Sequence, residues 1–91
     1  MNIVQRIFKY PMIVTDVQEV HMPAGAVILS VQVQRDVPCL WALVNPDAVT
    51  SLRRIVMYGT GHPVDDPPGY FIGTIQLEGG ALVFHVFDER L

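Results

Sequence analysis

The chain has 91 residues, of which 51% are hydrophobic and 16% charged, and its formal net charge is −3. A chain of this length supports one domain with a modest core, and we take residues 1–91 as that single domain. Acidic residues outnumber basic residues by nine to six, which argues against polymeric DNA or RNA as a partner, because neutralising phosphates requires a basic surface.

The low charge content also predicts self-association. An average globular domain has roughly 25% charged residues, so this small domain carries more apolar surface than one protomer easily buries. Exposed apolar patches usually meet a partner, and the commonest partner is another copy of the same chain. We therefore predict a homo-oligomer.

The cysteine content and the hydropathy pattern predict the compartment. Cys39 is the single cysteine, which excludes an intramolecular disulfide and suits a reducing cytosol. No apolar run approaches the roughly 20 residues that a membrane span requires. We expect a soluble cytoplasmic protein with no membrane partner.

The N-terminal third is predicted to contain short strands and turns. Residues 3–10 fit a first strand or one helical turn, which Pro11 would end. Turns are predicted at residues 15–16 and 23–26, with strand-like sequence at 17–22 between them.

The clearest strand covers residues 27–34. Val27, Leu29, Val31 and Val33 alternate with mostly polar residues. This period of two predicts one apolar row on the core and a polar row on the other face.

The middle of the chain continues as strands. Residues 35–38 are predicted to be a hairpin connection. Residues 39–44 return as a strand that is apolar on both faces and therefore lies in the sheet centre or under another layer. A turn is predicted at residues 45–48 and a further strand at 53–58.

The C-terminal third is predicted to be a hairpin. Residues 70–77 and 81–87 are rich in β-branched and aromatic residues, and Gly79-Gly80 between them suits a two-residue turn with positive φ. The whole pattern predicts an all-β fold, a single small antiparallel β-sandwich or barrel-like domain of about six to seven strands.

The polar loop, residues 58–69, is the candidate site. His62 within it could stabilise the turn, contact a ligand or act as an acid or base. The segment Gly59-Thr60-Gly61 lacks the lysine of a phosphate-binding P-loop, but its N–H groups could form an anion nest. Adjacent Asp65 and Asp66 point in different directions in an extended chain, so we interpret them as solvated carboxylates.

Other candidate residues lie on the predicted strands. Arg53 and Arg54 face opposite ways in a strand, so at most one of them serves a pocket for a phosphate. His85 is predicted to be hydrogen bonded at a subunit contact or cavity wall, and the spacing of the three histidines predicts no metal site and no cofactor. The candidate ligand-binding residues are Trp41, Arg53, Arg54, Tyr58, Gly59, Thr60, Gly61, His62, Tyr70 and His85; no catalytic residue is assigned.

Four segments resemble a family of small phage and prophage proteins of uncharacterised function. They are residues 23–34, the run Leu40-Trp41-Ala42-Leu43-Val44, the run Tyr58-Gly59-Thr60-Gly61-His62-Pro63, and residues 79–87. The resemblance covers nearly the whole chain and implies an accessory protein made by a phage in the cytoplasm of its host. Other small phage proteins, such as the Sequestin and Lockin families, sequester nucleotide immune signals, although none of their motifs matches this sequence.

Three functions are consistent with the sequence. The first is an anti-defence protein that binds a nucleotide-derived immune signal, a cyclic dinucleotide or an ADP-ribose derivative, without cleaving it. The second is a structural or protein-interaction factor with no small ligand. The third is a metal-independent phosphodiesterase in which His62 acts with His85 or His21.

Overall fold

The computed structural model describes residues 3–89, which form seven strands and no α-helix. The strands are β1 (Arg6–Pro11), β2 (Val17–Pro23), β3 (Val27–Gln34), β4 (Val37–Val44), β5 (Thr50–Gly59), β6 (Tyr70–Leu77) and β7 (Leu82–Asp88). They form two antiparallel sheets with the orders β1-β4-β3 and β2-β5-β7-β6. The predicted all-β antiparallel fold of about six to seven strands is confirmed, and of the two predicted architectures it is the sandwich rather than the barrel.

The core lies between the two sheets. In each strand every second side chain points toward the opposite sheet, and these side chains form the core. Strand β4 is the central strand of its sheet, which is one of the two positions predicted from its two apolar faces. The buried residues of this cluster are Met12, Met22, Ala26, Val31, Leu40, Ala42, Val44, Ile55, Met57, Ile75 and Val86.

A β-bulge changes the side-chain alternation that we predicted for β3. Ile28 is opposite Ala42 and Ser30 is opposite Trp41, so Leu29 is an additional residue of β3 with no register partner on β4. Ile28, Val31 and Val33 consequently pack on the core, while Val27 and Leu29 are about half exposed. The prediction of one unbroken apolar row was therefore wrong for the first half of the strand.

The two hairpins are present, but their turns differ from the prediction. Arg35 and Asp36 alone make the first turn, both with positive φ, so Pro38 lies inside β4 rather than in the connection. In the second hairpin Leu77 opposes Leu82, which leaves four residues in the turn instead of two. These four include a 3-10 turn at Glu78–Gly80.

No helix within residues 3–89 is long and apolar enough to cross a membrane.

The strand boundaries at the N-terminus also differ from the sequence-based ones. Strand β1 begins at Arg6 and includes Pro11, and residues 12–16 cross from one sheet to the other. Tyr10 on β1 packs against the core, and this burial raises the pKa of its hydroxyl above the usual value.

Candidate functional site

The polar loop lies over part of the outer face of the four-stranded sheet, beside β5, and borders a half-open cavity of about 450 Å³. The burial of Val56 is evidence that the loop covers this part of the sheet. Its neighbours Ile55 and Met57 belong to the core cluster, so Val56 faces outward, and yet it is only 4% exposed. The lining residues are Asp16, Val17, Arg54, Val56, Met57, Tyr58, Gly59, His62, Pro63, Asp65 and Glu89.

The floor of the cavity comes from the alternation of β5. Arg54, Val56 and Tyr58 are two residues apart and therefore lie on one face of the strand. Val17 of β2 is the register partner of Val56 and continues the floor sideways. The floor is therefore apolar in the middle, with an arginine at one end and a tyrosine at the other.

The polar wall of the cavity is predominantly acidic. Within residues 3–89 the lining includes three acidic residues, Asp16, Asp65 and Glu89, and one arginine, Arg54. Arg54 Nε lies 3.3 Å from Glu89 Oε1, so this arginine is already paired with an acid. A carboxylate accepts hydrogen bonds from amino and imino groups and repels phosphate, so the cavity favours a ligand rich in donors.

His62 is held beside Gly59 at the mouth of the cavity. The backbone N–H of His62 donates to the carbonyl oxygen of Gly59 at 3.0 Å, which closes the turn. The imidazole lies over Gly59: a Cβ atom at residue 59 would be 2.9 Å from Nδ1 of His62. The histidine thus has the predicted place in the turn and also lines the cavity.

We expect Gly59→Ala to displace the His62 ring while leaving the sheets intact. The new methyl group would meet the far end of a flexible side chain, which moves at low cost, rather than backbone. NMR spectra should show a changed His62 ring environment with little change for residues of β7. Unchanged His62 resonances would contradict the contact.

Arg53 points away from the cavity, as the opposite orientation of adjacent arginines requires. Its guanidinium forms an ion pair with the buried carboxylate of Asp88 and donates to the carbonyl oxygen of Ala26 at 2.7 Å. Of the two candidate arginines, only Arg54 therefore reaches the cavity.

His85 lies on β7 between two threonine hydroxyls. Its Nε2 is 2.8 Å from Oγ1 of Thr60, and its Nδ1 is 2.9 Å from Oγ1 of Thr74. Each hydroxyl can donate or accept a hydrogen bond, so the histidine joins the start of the polar loop to β6. His85 and Thr60 are consequently engaged with one another outside the cavity lining.

The candidate aromatic residues occupy three separate places. Tyr58 lines the cavity and also meets Phe87 edge to face, with a centroid distance of 5.6 Å; Phe71 meets the other side of Phe87 at 5.4 Å. Tyr70 is 61% exposed at the start of β6. Trp41 is on the three-stranded sheet, so the structure brings only Tyr58 to the cavity.

The remaining candidate, Gly61, is exposed in the loop and has a φ of 87°. It does not line the cavity. Within residues 3–89, no group of three or more histidine, cysteine or acidic side chains is arranged to hold a metal ion.

Sequence analysis did not select several residues of the cavity. Asp16, Val17 and Glu89 come from parts of the chain far from the polar loop, and no local pattern links them to it. Asp65 was interpreted as a solvated carboxylate; it is exposed and also lines the cavity. Val56 was accessible to prediction, because the alternation that places Arg54 and Tyr58 on one face includes it.

Comparison with known proteins identifies the family of this chain. Neither the curated proteins nor the solved structures give a match for this chain. One family model matches residues 3–91, nearly the whole sequence. The chain therefore belongs to the family described as a domain of unknown function, DUF7352.

Proposed function

We propose that this protein binds a small organic molecule in the cavity under the polar loop and releases it unchanged. The observation that carries this proposal is the cavity itself, about 450 Å³ between the loop and β5. Ligand pockets of proteins have volumes of about 300–1,000 Å³ and combine an apolar lining with a few polar groups. Val17, Val56 and Pro63 supply the apolar part here, and Arg54 with the carboxylates supplies the polar part.

The lining favours a ligand that is recognised mainly through its donors. Within residues 3–89 the lining has three acidic residues, one of which is paired with Arg54, and these suit the amino and imino groups of a nucleobase better than a chain of phosphates. The Tyr58 ring at the end of the floor offers a surface for stacking, which contributes about 1–3 kcal/mol per base. A nucleotide-derived signal with its base in the cavity and its phosphate toward His62 fits this arrangement.

The biological role that we propose is sequestration of an immune signal by a phage protein in the host cytoplasm. The resemblance of the sequence to small phage and prophage proteins supports this context. The ligand would be a cyclic dinucleotide or an ADP-ribose derivative, held by a homo-oligomer without a cofactor.

Binding without cleavage is the better supported of the two small-molecule functions. A phosphodiesterase of the kind considered above needs His62 and a second histidine around one phosphate. His85 is engaged by Thr60 and Thr74, and His21 is paired in register with Leu52 on β5; neither lines the cavity. His62 is the one histidine of the lining.

Native mass spectrometry provides the test. Protein purified from cells that produce cyclic dinucleotides or ADP-ribose derivatives should retain a small molecule, and denaturation should return that molecule intact. Recovery of a cleaved product would contradict sequestration, and the absence of any retained mass or thermal shift across the panel would contradict small-molecule binding.

We expect Asp65→Asn to weaken binding of the retained molecule about tenfold to hundredfold. Loss of a charge-assisted hydrogen bond costs about 1.5–3 kcal/mol, and each 1.4 kcal/mol corresponds to about tenfold in affinity. Asp66→Asn is the matched control, because Asp66 is adjacent in the loop but does not line the cavity. Equal affinities of the two variants, measured by titration calorimetry, would place the ligand elsewhere.

A protein-interaction factor with no small ligand is the second candidate. It is favoured by the exposed apolar side chains, among them Ile7, Val27 and Leu29 of the three-stranded sheet, each at least 50% exposed. Such a surface suits a protein partner. This function gains support if no nucleotide shifts the melting temperature.

A further inference from the structure

The two sheets are closed along one side and open along the other. On the closed side β6 packs directly against β3: a Cβ atom at Gly73 would lie 2.9 Å from Cγ1 of Val31. On the other side β1 and β2 are the outermost strands of their sheets, each paired on one edge within residues 3–89. Both strands therefore present a row of backbone N–H and C=O groups that can accept another strand.

The core is incompletely covered along the open side. Phe8 of β1 is paired with Ala42 and therefore faces the core layer, yet it is 37% exposed. Tyr10 of β1 and Val20 of β2 pack against the core but are only partly buried. Apolar side chains of both sheets are thus partly exposed to solvent on the open side, where no further strand covers them within residues 3–89.

We propose that a second copy of this chain closes the open side across a two-fold axis. Strand β1 of each copy would pair antiparallel with β2 of the other copy, which merges three strands of one copy and four of the other into each continuous sheet. Both pairs form at once, because residues 12–16 cross between the sheets and leave β1 and β2 on the same side of the protomer. The result is a closed dimer without free edges on that side.

The charges of the two edge strands favour this pairing over self-pairing of β1. Strand β1 carries Arg6 and Lys9 with no acidic residue, whereas β2 carries Glu19 with no lysine or arginine. Two copies of β1 side by side would bring four cations together. Like charges opposite one another destabilise paired strands, and opposite charges stabilise them by about 0.2–1 kcal/mol.

One register matches both faces of the paired strands. Lys9 and its register partner Trp41 face outward, and so do Glu19 and its register partner Arg54. Lys9 of one copy can therefore lie opposite Glu19 of the other copy on the solvent side. In that register Phe8 is opposite Val20 of the second copy on the core side. The charged pair of Lys9 and Glu19 thus lies on the solvent face, and the apolar pair of Phe8 and Val20 lies on the core face.

The dimer would also place the candidate site at the subunit boundary. Val17 lines the cavity and belongs to the edge strand β2. In the same register Pro11 of the second copy lies opposite Val17. The inference does not depend on the proposed ligand, because the edges and their charges exist without it.

Cross-linking between single-cysteine variants tests the pairing and its register. In a Cys39→Ala background, Lys9→Cys and Glu19→Cys should form a disulfide-linked pair only when the two variants are mixed. Sedimentation of the unmodified protein at micromolar concentration should give twice the protomer mass of 10.2 kDa. A mass of 10.2 kDa, or cross-linking of Lys9→Cys with itself, would overturn the proposal.

Charge exchange gives an independent test that does not need a disulfide. Lys9→Glu should raise the dissociation constant of the dimer about tenfold or more, because each dimer contains two such pairs. The double variant Lys9→Glu with Glu19→Lys should restore it, since every repulsive pair becomes attractive again. A double variant as weak as Lys9→Glu, with an unchanged circular dichroism spectrum, would contradict the pairing of these two residues.

Discussion

Arg53→Met should lower the free energy of unfolding by about 3–5 kcal/mol, because it removes the ion-pair partner of the buried carboxylate of Asp88. Asp88 is 2% exposed, and the side chain of Arg53 is 13% exposed. Arg53 also donates to the carbonyl oxygen of Ala26, so its loss affects the turn before β3. Small domains have a total stability of about 5–15 kcal/mol, so this variant should be close to unfolding.

Arg54→Met is the matched control for this prediction. The neighbouring arginine pairs with Glu89 at 3.3 Å, but its side chain is 48% exposed, so water screens the pair. Exposed pairs contribute about 0–1 kcal/mol. Urea denaturation of both variants should therefore separate them by at least about 2 kcal/mol; equal midpoints would show that the pair of Arg53 with Asp88 is not formed.

The second large effect is expected for Gly69→Ala, at the end of the polar loop. Gly69 has a φ of 103°, and a Cβ atom there would lie 2.6 Å from the backbone carbonyl oxygen of Asp88. The positive φ costs about 1–2 kcal/mol for a residue with a side chain, and overpacking adds about 1–3 kcal/mol. The methyl group meets backbone, so either the loop or the end of β7 must move.

Gly61→Ala in the same loop separates the two contributions. Gly61 also has positive φ, at 87°, but nothing lies within 4 Å of a Cβ atom there. We expect only the backbone cost for this variant. Amide exchange should accelerate at the β6–β7 end for Gly69→Ala and stay unchanged there for Gly61→Ala; identical stabilities would contradict the close approach of Gly69 to Asp88.

The contrast between the two arginines also explains the character of the candidate site. Arg53 points toward the core and forms an ion pair with Asp88, whereas Arg54 points to the outer face and forms an ion pair with Glu89. Within residues 3–89 no other arginine lines the cavity, so the acidic residues and the Arg54–Glu89 pair set the chemistry of this part of the lining. We consequently place the base of the proposed nucleotide ligand in the cavity rather than its phosphates.

Local sequence patterns determined the class of this fold. Runs of β-branched and aromatic residues predicted the strands, because this pattern lies within short stretches of the chain. The apolar character of β4 on both faces predicted a position in the sheet centre or under another layer. The same period of two placed Arg53 and Arg54 on opposite faces. These features need no knowledge of which strands meet.

Only the tertiary structure decided which residues form the cavity and which side of the sandwich stays open. The bulge at Leu29, the four-residue turn after Leu77, and the meeting of Asp16 and Glu89 with the polar loop depend on how strands distant in sequence are paired. Alternation along a strand fixes the direction of a side chain but not its neighbour on the next strand. That neighbour is chosen by sheet register and packing, which are properties of the whole chain.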